Sequence, residues 1–94
     1  MGLVSLEDIR GAGPVVATVA RRTPVITSVP LSGPAGDNVA LKAENLQRTG
    51  SFKLRGAINK VVSLGDTALA GVTTGSAGNH AQALAYAAHR VGAP

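Results

Sequence analysis

Lys53 and the run Gly75-Ser76-Ala77-Gly78-Asn79-His80 are the residues of this 94-residue chain whose types and spacing can do chemistry. A lysine amine condenses with an aldehyde once it is uncharged. Ser51-Phe52-Lys53 sets that amine at the mouth of a helix, where the helix dipole and the nearby Arg55 guanidinium both disfavour the ammonium form. The glycine-punctuated run feeds a second helix. Its small residues let a ligand approach the backbone, its free N–H groups attract anions, and Ser76 and Asn79 add polar side chains. An amine that forms imines, beside a loop that holds anions, outlines a site for an aldehyde cofactor.

Each motif also has a plainer reading. Lys53 can be a solvated lysine of a first turn, and the run can be a tight strand-to-helix turn with Asn79 as its cap. His80 is an acid–base group or a satisfied helix-terminal histidine, and His89 falls on a polar stripe. Lys42 and Glu44 alternate along a strand and read as a solvated face. The run is not a P-loop, because the Gly-Lys-Ser/Thr ending is missing. Gly71, Gly75 and Gly78 lack the spacing of a dinucleotide fingerprint. Paired carboxylates for glycoside hydrolysis and a Ser-His-Asp set are not visible.

The elements that must position these groups follow from periodicity. Ser5 to Ala20 predicts a helix opened by a Ser5/Asp8 capping box, with Gly11, Gly13 and Pro14 breaking or kinking it. Val25–Val29 and Val39–Glu44 predict two short strands, separated by a Pro- and Gly-rich loop from Pro30 to Asn38. Ser51 is expected to cap a helix running to Leu64, with Leu54, Ala57, Ile58 and Val61 as its apolar face. Ala70–Thr74 predicts a strand leading into the Gly75–Gly78 loop. Asn79 or His80 then opens a last helix built from Ala81, Ala83, Leu84, Ala85, Ala87, Ala88 and Val91. A helix so apolar around its girth expects partners on several sides.

Composition narrows the function classes. One small domain is the upper bound for this length. With no cysteine there is neither a disulfide nor a thiolate metal site, and two histidines are too few for an ordinary structural metal site. The 45% hydrophobic content is that of a globular chain. A net charge of +4 raises nucleic-acid binding, but the cations are scattered and aromatic stacking platforms are lacking, so no nucleic-acid partner is expected. Neither a membrane span nor a signal-peptide pattern is present, and a soluble cytoplasmic protein is the default expectation.

The stretch from Leu41 to Ala57, Leu-Lys-Ala-Glu-Asn-Leu-Gln-Arg-Thr-Gly-Ser-Phe-Lys-Leu-Arg-Gly-Ala, resembles the cofactor-lysine segment of the threonine/serine dehydratases. Thr74 to Gln82 resembles their asparagine loop, and Ser5–Arg10 and Arg21–Pro24 fit as well. The resemblance covers nearly the whole chain. It implies a fold-type II pyridoxal 5'-phosphate enzyme of the tryptophan synthase β-like α/β architecture. By that resemblance Lys53 forms the covalent link to the cofactor and later removes the substrate α-proton. Phe52 packs beside the cofactor ring and Asn79 hydrogen-bonds its phenolic oxygen. Ser76, Ala77, Gly78, Asn79 and His80 receive the substrate carboxylate. The implied reaction is loss of the β-hydroxyl from threonine or serine, giving 2-oxobutanoate or pyruvate and ammonia, as in isoleucine biosynthesis.

Sister families discriminate. Cysteine and threonine synthases usually carry Lys-Asp-Arg and Gly-Asn-Thr where this chain has Lys53-Leu54-Arg55 and Gly78-Asn79-His80. Serine racemases carry a serine at the position of Ala77, as the second acid–base group, so Ala77 argues for elimination over racemisation. Racemisation, β-replacement, or a non-catalytic fragment docking on a full-length paralogue are the alternatives. The resemblance also implies a glycine-rich phosphate cradle and a group at the pyridine nitrogen further downstream than Pro94. The chain is therefore expected to be an N-terminal portion, inactive alone, of an enzyme that is a homo-oligomer at full length. Residues 1–65 would belong to the larger, lysine-bearing domain and residues 66–94 would begin the smaller one. The Gly11–Pro14 interruption and the Pro30–Asn38 loop depart from the family pattern.

Overall fold

A computed structural model describes residues 2–33 and 38–94. The elements in chain order are α1 (Leu6–Ala17), β1 (Val25–Thr27), α2 (Val29–Ser32), β2 (Ala40–Lys42), α3 (Lys53–Ser63) and α4 (Asn79–Val91). Short 3-10 turns at Glu44–Leu46 and Gly65–Ala70 flank α3.

The capping box is present. Asp8 N–H donates to Ser5 Oγ at 3.1 Å, and Ser5 N–H donates to Asp8 Oδ2 at 2.8 Å. Glu7 and Asp8 in the first turn suit the helix dipole. Of the expected break or kink, the break does not occur: α1 runs through Gly11, Gly13 and Pro14 to Ala17. Pro14 removes the N–H that would pair with the Arg10 carbonyl. Both residues are exposed, so water can take that carbonyl's lone pairs. Val15 and Val16, packed against the core, tie the far end of the helix down.

β1 and β2 pair antiparallel, with Val25 opposite Lys42, Ile26 opposite Leu41 and Thr27 opposite Ala40. The first part of the expected Pro30–Asn38 loop is helical instead: α2 starts with Pro30 near its N-terminus and with Ser28 Oγ accepting from Leu31 N–H at 3.4 Å. Residues 34–37 of that loop lie outside the described residues.

The core is small and lies between α3 and α4. Leu54, Ala57, Ile58 and Val61 of α3 are all buried, the set that the helical spacing selects. They meet Ala83 and Ala87 of α4, with Val19 and Ala68 closing the ends. Alanines on α4 let the two helix backbones approach closely. The chain exposes 6704 Å². A compact monomer of 9.4 kDa would expose about 5,000 Å². Much apolar surface therefore stays in solvent, including Ile9, Val25, Ile26 and Leu31.

The expected strand at Ala70–Thr74 is not formed. Gly65–Ala70 is a 3-10 turn, and the following residues up to the Gly75–Gly78 loop form no regular element. A strand needs a partner edge. Here Val72 N–H donates instead to the Pro94 carbonyl at 3.2 Å, which brings the end of α4 back against this segment.

Candidate functional site

Lys53 is the first residue of α3, and the chain reaches it through a reversal at Gly50, whose φ of 77° falls in the region open to glycine. Ser51 was expected to be the N-cap. Phe52 takes that position in helical geometry, without a side-chain cap. Ser51 still serves the helix start, because its buried hydroxyl accepts from Lys53 N–H at 3.3 Å. This local bond folds the Ser51-Phe52-Lys53 tripeptide so that both Phe52 and Lys53 point outward. Lys53 Nζ stands over the Phe52 ring, 5.5 Å from its centroid.

Both residues line a cavity of about 610 Å³ between α3, the irregular segment after Ala70, and α4. Arg55, Lys60 and Val61 of α3 share that wall. Val72 and Thr73 form a second side, and His80 and Leu84 of α4 a third. The structure thus brings Phe52, Lys53 and His80 to one concavity. Ser76, Ala77, Gly78 and Asn79 are exposed and not part of its wall, but they lie on the loop bracketed by two wall residues, Thr73 and His80.

Asn79, expected as a possible cap of the last helix, is its first helical residue. Gly78 occupies the cap position and provides no side-chain acceptor. The first N–H groups of α4 are therefore not capped by a side chain, and they carry the positive end of a 13-residue dipole. Ser76 Oγ folds the loop by accepting from Gly78 N–H at 3.2 Å.

Lys60 was not singled out by sequence reasoning. It lies seven residues after Lys53, two helical turns along, so both amines fall on one face of α3. That spacing was a readable signal. Glu44 was read as part of a solvated face, and the structure corrects this. Arg55 Nε and Nη2 donate to Glu44 Oε1 at 2.8 and 2.6 Å, and the Glu44 side chain is only 14% exposed. Partial burial pushes the Glu44 carboxyl up. Hydrogen bonds from Arg55 and Gln47, with the charges of Arg55 and Lys42, outweigh that and hold it below its ordinary value. The Arg55 charge is thus answered by Glu44 and is not free to act on Lys53, as the sequence alone suggested.

The cavity has the size of small-molecule sites, which run about 300–1,000 Å³. Its lining combines two primary amines, Lys53 and Lys60, with an aromatic ring, apolar wall residues and Arg55. These fit a planar aldehyde cofactor: Lys53 for the aldehyde, and Phe52, Val61 and Leu84 for the ring. Among the described residues, no group of three or more His, Cys, Asp or Glu is placed to hold a metal ion, and no helix is long and apolar enough to cross a membrane.

Comparison with known proteins identifies the family. The family model described as pyridoxal-phosphate dependent enzyme matches residues 16–94. A serine racemase of Dictyostelium discoideum is 47% identical over 93% of this chain, and the match takes in 27% of that protein. The L-threonine ammonia-lyase of Thermotoga maritima is 46% identical over 98% of this chain and 23% of its own length. Among solved structures, the D. discoideum serine racemase superposes with a TM-score of 0.84 over 96% of this chain and 30% of that one, at 44% identity. A T.th. threonine deaminase gives 0.80 over 96% and 31%, at 46% identity. The chain therefore spans about a quarter to a third of the length of the relatives it matches. Its elements are a portion of the fold-type II α/β architecture, and it belongs to the pyridoxal-phosphate-dependent enzyme family, whose cofactor is pyridoxal 5'-phosphate.

Proposed function

We propose that this chain is the lysine-bearing portion of a threonine or serine dehydratase. The observation that carries the reading is the single cavity shared by Phe52, Lys53 and His80. When bound, pyridoxal phosphate supplies an aldehyde for amines and a conjugated ring that accepts the electron pair released at the substrate α-carbon. The chain's own residues supply the rest. Lys53 Nζ takes the α-proton. Phe52 and the apolar wall hold a flat ring beside that amine. Asn79, on the loop beside the cavity, would hydrogen-bond the ring's oxygen, and the Ser76–His80 loop, with the uncapped start of α4, would receive the substrate carboxylate. Loss of the β-hydroxyl as water, and hydrolysis of the product enamine, gives a 2-oxo acid and ammonia.

Racemisation is the second reading, favoured by the serine racemases among the similar proteins. Ala77 speaks against it, since a methyl group cannot return a proton to the opposite face of the α-carbon. The residue 1–65 and 66–94 division, the homo-oligomeric full-length form, the cytoplasmic setting and a role in isoleucine biosynthesis belong to the same proposal.

The test is to join this chain to the downstream reading frame and assay the product with L-threonine and L-serine. Release of 2-oxobutanoate from threonine and pyruvate from serine is expected. D-serine as the main product would assign racemisation instead, and incorporation of an added thiol would assign β-replacement. The 94-residue chain alone is expected to bind the cofactor weakly and turn over nothing.

A further inference from the structure

Three segments meet at Glu44. Its Oε1 accepts from both Nε and Nη2 of Arg55 in α3, which converge on that one oxygen, and more weakly from Thr23 Oγ1 at 3.4 Å. Its Oε2 accepts from Gln47 Nε2 at 3.0 Å. Gln47 is itself buried and pairs with both backbone groups of Arg21: its Oε1 accepts from Arg21 N–H at 2.8 Å and its Nε2 donates to Arg21 carbonyl at 3.0 Å. Arg48 Nε donates to the Val19 carbonyl at 2.7 Å, which ties the same turn to the end of α1. Charge-assisted hydrogen bonds from two nitrogens of one planar guanidinium restrain its orientation as well as its distance. Arg55 follows Lys53 by two residues in the first turn of α3, so the two side chains leave the axis roughly 200° apart. Clamping one therefore sets the direction of the other.

We propose that Glu44 is a positioning residue for Lys53: gripping Arg55, it fixes the rotation of the first turn of α3 and so the place where the Lys53 amine is presented to the cavity. The inference rests on the reading of Lys53 as the reacting amine. The groups facing the Glu44 carboxylate are Arg55 from α3, Lys42 from β2 at 3.9 Å, and the uncharged Thr23 and Gln47; Arg21 and Arg48 lie one step further through Gln47. A carboxylate neutralised by substitution or by acid leaves the Arg55 fork without its anion.

The test incubates the intact 94-residue chain with pyridoxal phosphate, reduces the mixture with borohydride, and measures the pyridoxyl adduct on Lys53 relative to Lys60 by mass spectrometry. Lys60 shares the cavity wall and serves as the internal reference. In Glu44→Gln the Lys53-to-Lys60 ratio is expected to fall roughly tenfold, since about 1 Å of misplacement can cost on the order of a hundredfold. Helical circular dichroism should be kept. Arg55→Lys, which keeps a cation but loses the fork, should act the same way if Glu44→Gln does not fold. A folded Glu44→Gln or Arg55→Lys chain with the original ratio overturns the inference alone. An unsubstituted chain that never prefers Lys53 overturns the reading of Lys53 first, and the inference with it.

Discussion

The Lys53 ammonium stands over the ring of its own neighbour Phe52, 5.5 Å from the centroid, although Phe52 is 61% exposed. A large aromatic side chain left in water beside an amine contributes little to the core. At an exposed site such a cation–π pair stabilises by about 0.5–1 kcal/mol. The pair instead offers a flat apolar surface next to a nucleophile.

Phe52→Leu should therefore separate stability from binding. Urea unfolding is expected to shift by no more than about 1 kcal/mol. The yield of pyridoxal phosphate adduct at Lys53 should drop several-fold, read by mass spectrometry after reduction. A large loss of stability with unchanged adduct yield would place Phe52 in the core's service.

Leu54 points the other way from the same turn and is 0% exposed. Leu54→Ala should cost about 2–5 kcal/mol. A core this small leaves little reserve against such a loss. Thermal unfolding followed by circular dichroism should lose its cooperative transition or move well below that of the parent chain.

Gly71 has φ 115° and ψ 151°, a backbone region that is essentially glycine's own. A Cβ there would meet Pro94 at an ordinary 3.8 Å, so the strain is in the backbone and not in crowding. Gly71→Ala is expected to destabilise the chain by about 1–3 kcal/mol. Because Val72 and Thr73 line the cavity, it should also weaken cofactor capture. Urea titration and adduct yield read the two effects.

Acid should expose the Glu44 clamp. The folded state holds the Glu44 carboxyl below its unfolded value, so folding favours its ionised form. The associated stability is fully present above the unfolded value and is lost as the pH falls through the folded one. Urea midpoints measured from neutral to strongly acidic pH should show this limb, and Glu44→Gln should remove most of it. Asp8, held low by the Ser5 backbone and side-chain hydrogen bonds, contributes in the same direction and should persist in that variant.

What the sequence made legible was whatever is encoded within one or two helical turns. The apolar spacing of Leu54, Ala57, Ile58 and Val61 located the buried face of α3, and Ser5 with Asp8 located the start of α1. Pro14 misled because the rule against proline assumes that the freed carbonyl needs a protein partner. On an exposed helix it does not. The strand expected at Ala70–Thr74 depended on a partner edge that no local pattern supplies. The Glu44–Arg55 pair joins residues eleven apart across two elements, and its partner choice is a tertiary fact. Lys60 is legible from its seven-residue offset from Lys53, which puts both on one helix face.

Competition between lysines for pyridoxal phosphate measures the role of Lys53 most directly. The intact chain is incubated with the cofactor, reduced, digested and mapped by mass spectrometry over Lys42, Lys53 and Lys60. A dominant pyridoxyl adduct on Lys53, lost in Lys53→Arg without transfer to Lys60, is the expected result. Equal labelling of the three lysines, or a preference for Lys42 or Lys60, would contradict the assignment of Lys53 as the cofactor-bearing residue.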